Sequence, residues 1–323
     1  MVKETQTLVC MVCGSPVEHR TFMAKEMMFG SRDPFRYFEC TGCGTLQLTS
    51  VPGDLGKYYP QAYYSLSAPT GPKLWLQRRW AEVSYGGRGL IGSMISGVLG
   101  KHAGIEAVAR AKVPKNARIL DVGCCSGDLL LMLEHLGFSN LCGVDPFLQE
   151  TILYSERLRV LKASLPEVTG KFDVIMFNHS LEHVPNPQEA LKEVLRLLSA
   201  NGRLIVRLPI AGTFAWRTYG ANWVALDPPR HIFVPTLRGM RMMSGTIGFT
   251  ETSVTFESDE FMFWGSEQYS HDIPLNDPRS QSAGLLRRVF PSRRIREFRN
   301  RARVLNQAMD SDAACFIYSK TTD

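Results

Sequence analysis

The run Ile119-Leu120-Asp121-Val122-Gly123-Cys124-Cys125-Ser126-Gly127-Asp128-Leu129-Leu130 constrains this chain more than any other stretch. A short apolar strand ends on an acid, turns through two glycines, and enters a leucine-rich helix. Such a turn brings backbone close to a ligand where a larger side chain would collide. Leu141-Cys142-Gly143-Val144-Asp145 reads as a second strand closing on an acid, the place where a parallel α/β sheet holds a ribose diol. Phe172-Asp173-Val174-Ile175-Met176-Phe177-Asn178 reads as a later strand ending in polar residues. Strand and helix patterns alternate from 118 to 257, which implies a parallel sheet of the nucleoside-binding kind.

The dinucleotide fingerprint Gly-x-Gly-x-x-Gly is missing, and only Gly123 and Gly127 punctuate the turn. An acid ahead of the turn suits a cationic amine better than a phosphate. The arrangement resembles motif I of the class I S-adenosylmethionine-dependent methyltransferases. Leu181-Glu182-His183-Val184-Pro185-Asn186-Pro187 is similar to that family's segment after a central strand, and Gly202-Arg203-Leu204-Ile205-Val206 to its next strand. The resemblance implies an α/β Rossmann-like sheet, mostly parallel, whose final strand near 313–319 runs antiparallel. It implies that S-adenosylmethionine is bound by Asp121, Gly123, Cys125 and Gly127 around the methionine moiety. Asp145 would take the ribose hydroxyls and Asn178 would border the cofactor. Apart from the resemblance, Tyr63 and Tyr64 of the linker read either as a lid folding over the cofactor or as aromatic packing within the linker. The family usually has glycine where this chain has Cys125.

Four of the eight cysteines form Cys10-x-x-Cys13 and Cys40-x-x-Cys43, each pair followed by glycine. Outside an oxidising compartment, two matched pairs read as a tetrahedral, structural zinc site rather than as disulfides. The spacing predicts a zinc ribbon, two β-hairpins clamping one ion, over residues 1–50. Residues 51–113 read as a tyrosine-rich linker followed by a helical cap, and 114–323 as the cofactor-binding domain. An Arg-rich insertion at 258–311 precedes the last strand. No apolar stretch reaches bilayer-spanning length and no signal-peptide pattern opens the chain, so the cytoplasm is the expected compartment.

A net charge of +6 favours an anionic small-molecule substrate without requiring one. In the insertion, Ile295, Phe298, Ala302 and Leu305 share one helical face beneath a row of arginines. That row reads as a solvated face, or as a contact for an anionic substrate, for lipid headgroups at a peripheral membrane surface, or for RNA phosphate. Nucleic acid is disfavoured, because the segment after Asn178 lacks the Asn-Pro-Pro-aromatic motif of base-nitrogen methyltransferases and the arginines avoid the cysteine lobe.

Ligands in open α/β sheets bind beyond the carboxyl ends of the strands. Asn178, His179, Glu182 and His183 stand there, as does the aromatic loop Trp216 to Phe233, stiffened by Pro228-Pro229. His231 is the candidate base or orienter of the acceptor, Arg230 its anion partner, and His183 a shaper of the pocket. The lobe and linker are similar to those of sugar-nucleotide C-methyltransferases, whose acceptor carbon is deprotonated by a base. The Glu-His and Pro-Arg-His segments are similar to quinone and other small-molecule O-methyltransferases. Two readings compete: an RNA methyltransferase, and a non-catalytic zinc-ribbon interaction protein with a degenerate cofactor fold.

Overall fold

The computed structural model describes residues 8–16, 19–59, 71–87, 94, 100–283 and 289–321. Two sheets organise them. The larger has eight strands: β4 (Arg118–Val122), β5 (Asn140–Val144), β6 (Ile152–Leu153), β7 (Leu158–Leu161), β8 (Phe172–Asn178), β9 (Leu198–Pro209), β11 (Phe249–Phe256) and β12 (Ala313–Lys320). Their order is β11-β12-β9-β8-β4-β5-β7-β6. The pairs β4–β5, β4–β8, β5–β7 and β8–β9 are parallel, and β12 is antiparallel to both β9 and β11.

Strands covered on both faces must be apolar along their length. β4 obeys this, with Ile119, Leu120, Asp121 and Val122 all buried, so its acid is held inside the sheet rather than at a wet edge. The chain leaves β4 in opposite lateral directions, to β5 on one side and β8 on the other, which opens a crevice at their carboxyl ends. Helix α1 (Gly71–Ser84), α2 (Ala103–Arg110) and α3 (Asp128–His135) lie towards one face. Helix α4 (Pro187–Leu197) and α6 (Leu237–Ile247) cover the other. Proline at the first position starts α4 in a preset φ, and Leu191, Val194 and Leu197 form its buried stripe.

The smaller sheet has the order β1-β2-β3-β10, from β1 (Arg20–Lys25), β2 (Pro34–Glu39), β3 (Leu46–Leu48) and the two-residue β10 (Phe233–Val234). The first three strands belong to the cysteine lobe, whereas β10 directly follows the Pro-Pro-Arg-His loop. Phe233 pairs with Gln47 and Val234 with Leu46. The lobe and the loop therefore form one sheet.

Two expectations change. The zinc ribbon was expected as two hairpins, but only the Cys40–Cys43 turn joins paired strands, β2 and β3; Cys10–Cys13 turns within irregular chain ahead of β1. The segment after β9 is not a plain loop. It contains α5 (Phe214–Tyr219) and two short 3-10 turns, Gly220–Asn222 and Val224–Leu226. Within 258–311, α7 (Phe261–Ser270) and α8 (Ser292–Gln307) pack Phe263 on Phe298 with ring centroids 5.2 Å apart. They share a core with Tyr37, Leu46 and Trp223, so the insertion is fastened to the small sheet. Leu285 to Arg288 lie outside the described residues.

Candidate active site

The β4–α3 turn places a left-handed residue at three positions, Gly123 (φ +69°), Cys125 (φ +51°) and Gly127 (φ +86°). A Cβ on Gly123 would stand 2.6 Å from the Ser180 Cβ, so only glycine fits there. Cys125 occupies the conformation that favours glycine at the position where glycine is usual. Its amide donates to Asp145 Oδ2 (2.9 Å), and the Phe147 amide donates to Oδ1 (2.9 Å). Asp145 is thus fixed at the mouth of β5 by two backbone donors. Phe147 is exposed beside it and stacks on Tyr59 at 5.9 Å.

One strand over, Asn178 Nδ2 donates to Asp121 Oδ1 (2.9 Å). Burial pushes the Asp121 carboxyl up to about 7, with Asn178 and Arg207 pulling it down and Asp145 adding to the rise. Tyr64 lies outside the described residues. Of the other residues expected at the cofactor, Gly123, Cys125, Asp145 and Asn178 line one cavity of about 1720 Å³, whereas Asp121 and Gly127 do not line it and Asp121 lies just behind, bonded to Asn178. A single drug-sized site occupies roughly 300–1,000 Å³, so this cavity has room for two molecules. The fit to S-adenosylmethionine is chemical: two carboxylates at adjacent strand ends for ammonium and diol, glycines that admit backbone contact, and an exposed aromatic ring for a base.

His179, His183 and His231 line the same cavity. His231 Nδ1 lies 2.8 Å from the Ala225 carbonyl. A carbonyl only accepts, so Nδ1 carries the proton and Nε2 keeps its lone pair in the neutral ring. Burial first, then the neighbouring His183, push His231 down to about 4 against the pull of Asp227 and Glu182. The ring is therefore neutral at pH 7, with Nε2 3.9 Å from Glu182 Oε1 and 4.0 Å from Asp227 Oδ2. His183 Nδ1 donates to the Arg230 carbonyl (2.8 Å), and its ring lies 4.8 Å from that of His231.

Glu182 is wholly buried, and among the described residues neither of its carboxylate oxygens has a hydrogen-bond partner. Burial works against its charge, yet His179 (Nδ1 at 3.5 Å), His231 and His183 hold its carboxyl below the usual range. Glu182, His183 and His231 also keep one donor atom each within 4.8 Å of one another, a spacing from which they could converge on a cation.

Arg230 departs from its expected role. Its side chain is wholly buried, and its guanidinium bonds Glu26 Oε1 (2.9 Å), Asp227 (Nε to Oδ2, 2.8 Å) and the Tyr58 carbonyl (3.2 Å). These partners leave it facing protein rather than an acceptor. Asp227, three residues earlier, and Tyr59, whose hydroxyl lies 3.1 Å from His183 Nδ1, were missed in the sequence. The i,i+3 spacing of Asp227 and Arg230 was the readable signal for the first.

At the far end of the small sheet, Cys10 Sγ stands 3.7 Å from Cys43 Sγ and Cys13 Sγ 3.6 Å from Cys40 Sγ. Thiolates tetrahedrally placed at roughly 2.3 Å from zinc stand about 3.8 Å apart, so the four sulfurs fit that ion. The knuckles close as expected, with Gly14 N donating to Cys10 O (2.8 Å) and Gly44 N to Cys40 O (2.7 Å).

Residues 102–254 match the family model for a methyltransferase domain. This segment carries Gly123, Cys125, Asp145, Asn178 and His231, whereas Tyr59, Glu257 and Arg303 line the same cavity from outside it. The larger sheet has the Rossmann-like methyltransferase order, parallel in the middle, with β12 antiparallel between β9 and β11. The ubiquinone biosynthesis O-methyltransferase of Xanthomonas oryzae pv. oryzae (strain PXO99A) is 31% identical over 129 residues, 35% of this chain and 53% of that protein. The protein of the same name from Xanthomonas axonopodis pv. citri (strain 306) is 29% identical over 141 residues, 39% of this chain and 58% of its own length. The chain spans about half the length of these curated relatives. A cyclopropane synthase from Mycobacterium tuberculosis superposes with a TM-score of 0.43 at 15% identity, covering 68% of this chain and 83% of that one.

Proposed function

We propose that the chain transfers a methyl group from S-adenosylmethionine to a small molecule, with His231 Nε2 as the base that takes the acceptor's proton. The carrying observation is the shared cavity: a neutral imidazole with a free lone pair opens into the space bordered by Asp145, Cys125 and Asn178. When bound, the cofactor supplies an already activated methyl group. The protein's part is to align an acceptor behind it and remove a proton. A proton arriving on His231 meets two carboxylates, Glu182 and Asp227, within 4.0 Å.

Among the described residues five lysines and arginines line the cavity, and Lys101, Arg110, Arg207 and Arg299 each pair with a carboxylate. Among the described residues Arg303, on α8, has no carboxylate within salt-bridge distance. It is the group that would hold an anionic end of the acceptor, which supports a sugar nucleotide or related metabolite. A second reading, O-methylation of a phenolic quinone precursor, is favoured by the similarity over 129 residues to ubiquinone biosynthesis O-methyltransferases. The Cys10, Cys13, Cys40 and Cys43 cluster is read as a closed structural zinc site, because four thiolates leave no position for water. RNA has less support: Arg294 and Arg299 are engaged by carboxylates, and Arg301 lies over the Phe214 and Phe263 rings.

Calorimetric titration with S-adenosylhomocysteine tests the cofactor half. Binding to the native chain that is lost in Asp145→Ala is expected, and no binding to folded protein would favour the interaction-protein reading. An acceptor screen with nucleotide sugars and catechols then tests the base. His231→Gln should keep cofactor affinity and lose about 10²–10⁴-fold in turnover, and undiminished turnover would remove His231 from the mechanism.

A further inference from the structure

Behind the strand ends runs a chain of polar contacts that the proposed reaction does not use. Arg207, on β9, lies directly across from Asn178 in the parallel register. Its Nε donates to Glu257 Oε1 (2.5 Å) and its NH1 to Asn178 Oδ1 (3.3 Å), while Asn178 Nδ2 donates to Asp121 Oδ1 (2.9 Å). Four side chains from β9, β8, β4 and the end of β11 are thus linked in line, and Arg110 from α2 approaches Glu257 at 3.5 Å.

An asparagine amide is symmetric in shape but has one donating and one accepting end. A guanidinium can only donate, so Arg207 selects the orientation in which Asn178 turns its oxygen towards β9 and its NH₂ towards Asp121. In the flipped orientation the amide oxygen would face the Asp121 carboxylate, placing two acceptors together, and the amide nitrogen would face a cation. Both contacts would be repulsive.

We propose that Arg207 is a positioning residue for the cofactor's ammonium end, acting through Asn178 to orient Asp121 and keep it available as an anion. The proposal rests on the cofactor reading above. Asp121 is 2% exposed, and in such a place a carboxylate survives only with support from neighbours. The groups that face it are few. Asp145 at the end of β5 and the Cys124 thiol in the turn do not favour its charge, whereas Asn178 and Arg207 do. His102, ahead of α2, also faces Arg207, but burial and that arginine push it down to about 4, so it adds no charge at neutrality. Glu257 offsets the field of Arg207.

The test is S-adenosylhomocysteine calorimetry on the full chain at pH values spanning neutrality, because this ligand keeps the ammonium group. Affinity of the native chain should fall as pH drops through about 7, where Asp121 takes up a proton. Arg207→Gln should weaken binding at pH 7 by about five- to tenfold and move the midpoint up, the sign expected on losing a neighbouring cation. Arg207→Lys keeps the charge and should leave the midpoint near the native value. Glu257→Gln uncovers the field of Arg207 and should move the midpoint down. Simple structural damage would not shift two variants in opposite directions, and Glu257→Gln carries the test should Arg207→Gln fail to fold. Binding by the native chain with unmoved midpoints in both glutamine variants would overturn the role of Arg207. Absence of binding by the native chain at every pH would overturn the cofactor reading and this inference with it.

Discussion

Residues 230 and 231 are adjacent, yet one faces protein and the other faces the cavity. Arg230 ties Glu26, 204 positions earlier in the chain, to Asp227 in its own loop. Removing one member of a buried ion pair leaves the other charge without compensation and costs roughly 3–5 kcal/mol. Arg230→Met is therefore expected to destabilise the fold by that order in chemical denaturation. At temperatures where the variant stays folded, KM for the acceptor should be nearly unchanged, whereas loss of an acceptor anion contact would raise it. The sequence pointed to this loop, because Pro-Pro ahead of Arg-His is a local signal. It could not identify the partner of Arg230, because Glu26 lies in a different strand-and-turn unit and nothing periodic connects the two. Asp121 and Asp145 were legible for the opposite reason, since each ends an apolar run and its position follows from the run itself.

Among the elements, the two-residue β10 has an effect out of proportion to its length. It pairs with β3, whose neighbour β2 leads into the Cys40–Cys43 knuckle, and Thr236 Oγ1 donates to the Cys43 carbonyl (2.6 Å). The loop carbonyls are held from the same side, Tyr37 OH donating to His231 O (2.7 Å) and Leu48 N to Ile232 O (2.8 Å). No pattern in two residues could have announced this pairing. Its consequence is testable by metal removal. On the proposed zinc reading of the cysteine cluster, removing the ion with a chelator should cost about a hundredfold in turnover, the order that follows when a reacting group moves by an ångström. Affinity for S-adenosylhomocysteine should stay within a few-fold, since Asp121 and Asp145 are set by the larger sheet. Metal release followed with a colorimetric indicator, beside calorimetry, separates the two effects. The arginine-bearing α8 was legible as an amphipathic helix, and Phe298 and Ala302 are buried as its pattern required. That its inner face lies against the small sheet's core was not legible, because helical spacing names a buried face without naming what covers it.

Considered as a whole molecule, the segment recognisable by similarity is smaller than the structure that holds its site together. Residues 102–254 end inside β11 and omit β12, which lies between β9 and β11. A polypeptide trimmed to those limits would leave β9 with an open edge and the shortened β11 without its neighbour, exposing the apolar faces of Phe316 and Ile317's former partners. It is expected to aggregate or to lack a cooperative unfolding transition, as circular dichroism on heating would reveal. No helix among the described residues is long and apolar enough to cross a membrane. The four-stranded sheet also bears on how such a chain could be altered by recombination. Because three of its strands precede the crevice in sequence and the fourth follows it, a crossover that replaced only the cysteine lobe would join a foreign edge to the resident β10. Lobe and loop would have to be inherited together, as two distant passages of sequence under a single selection.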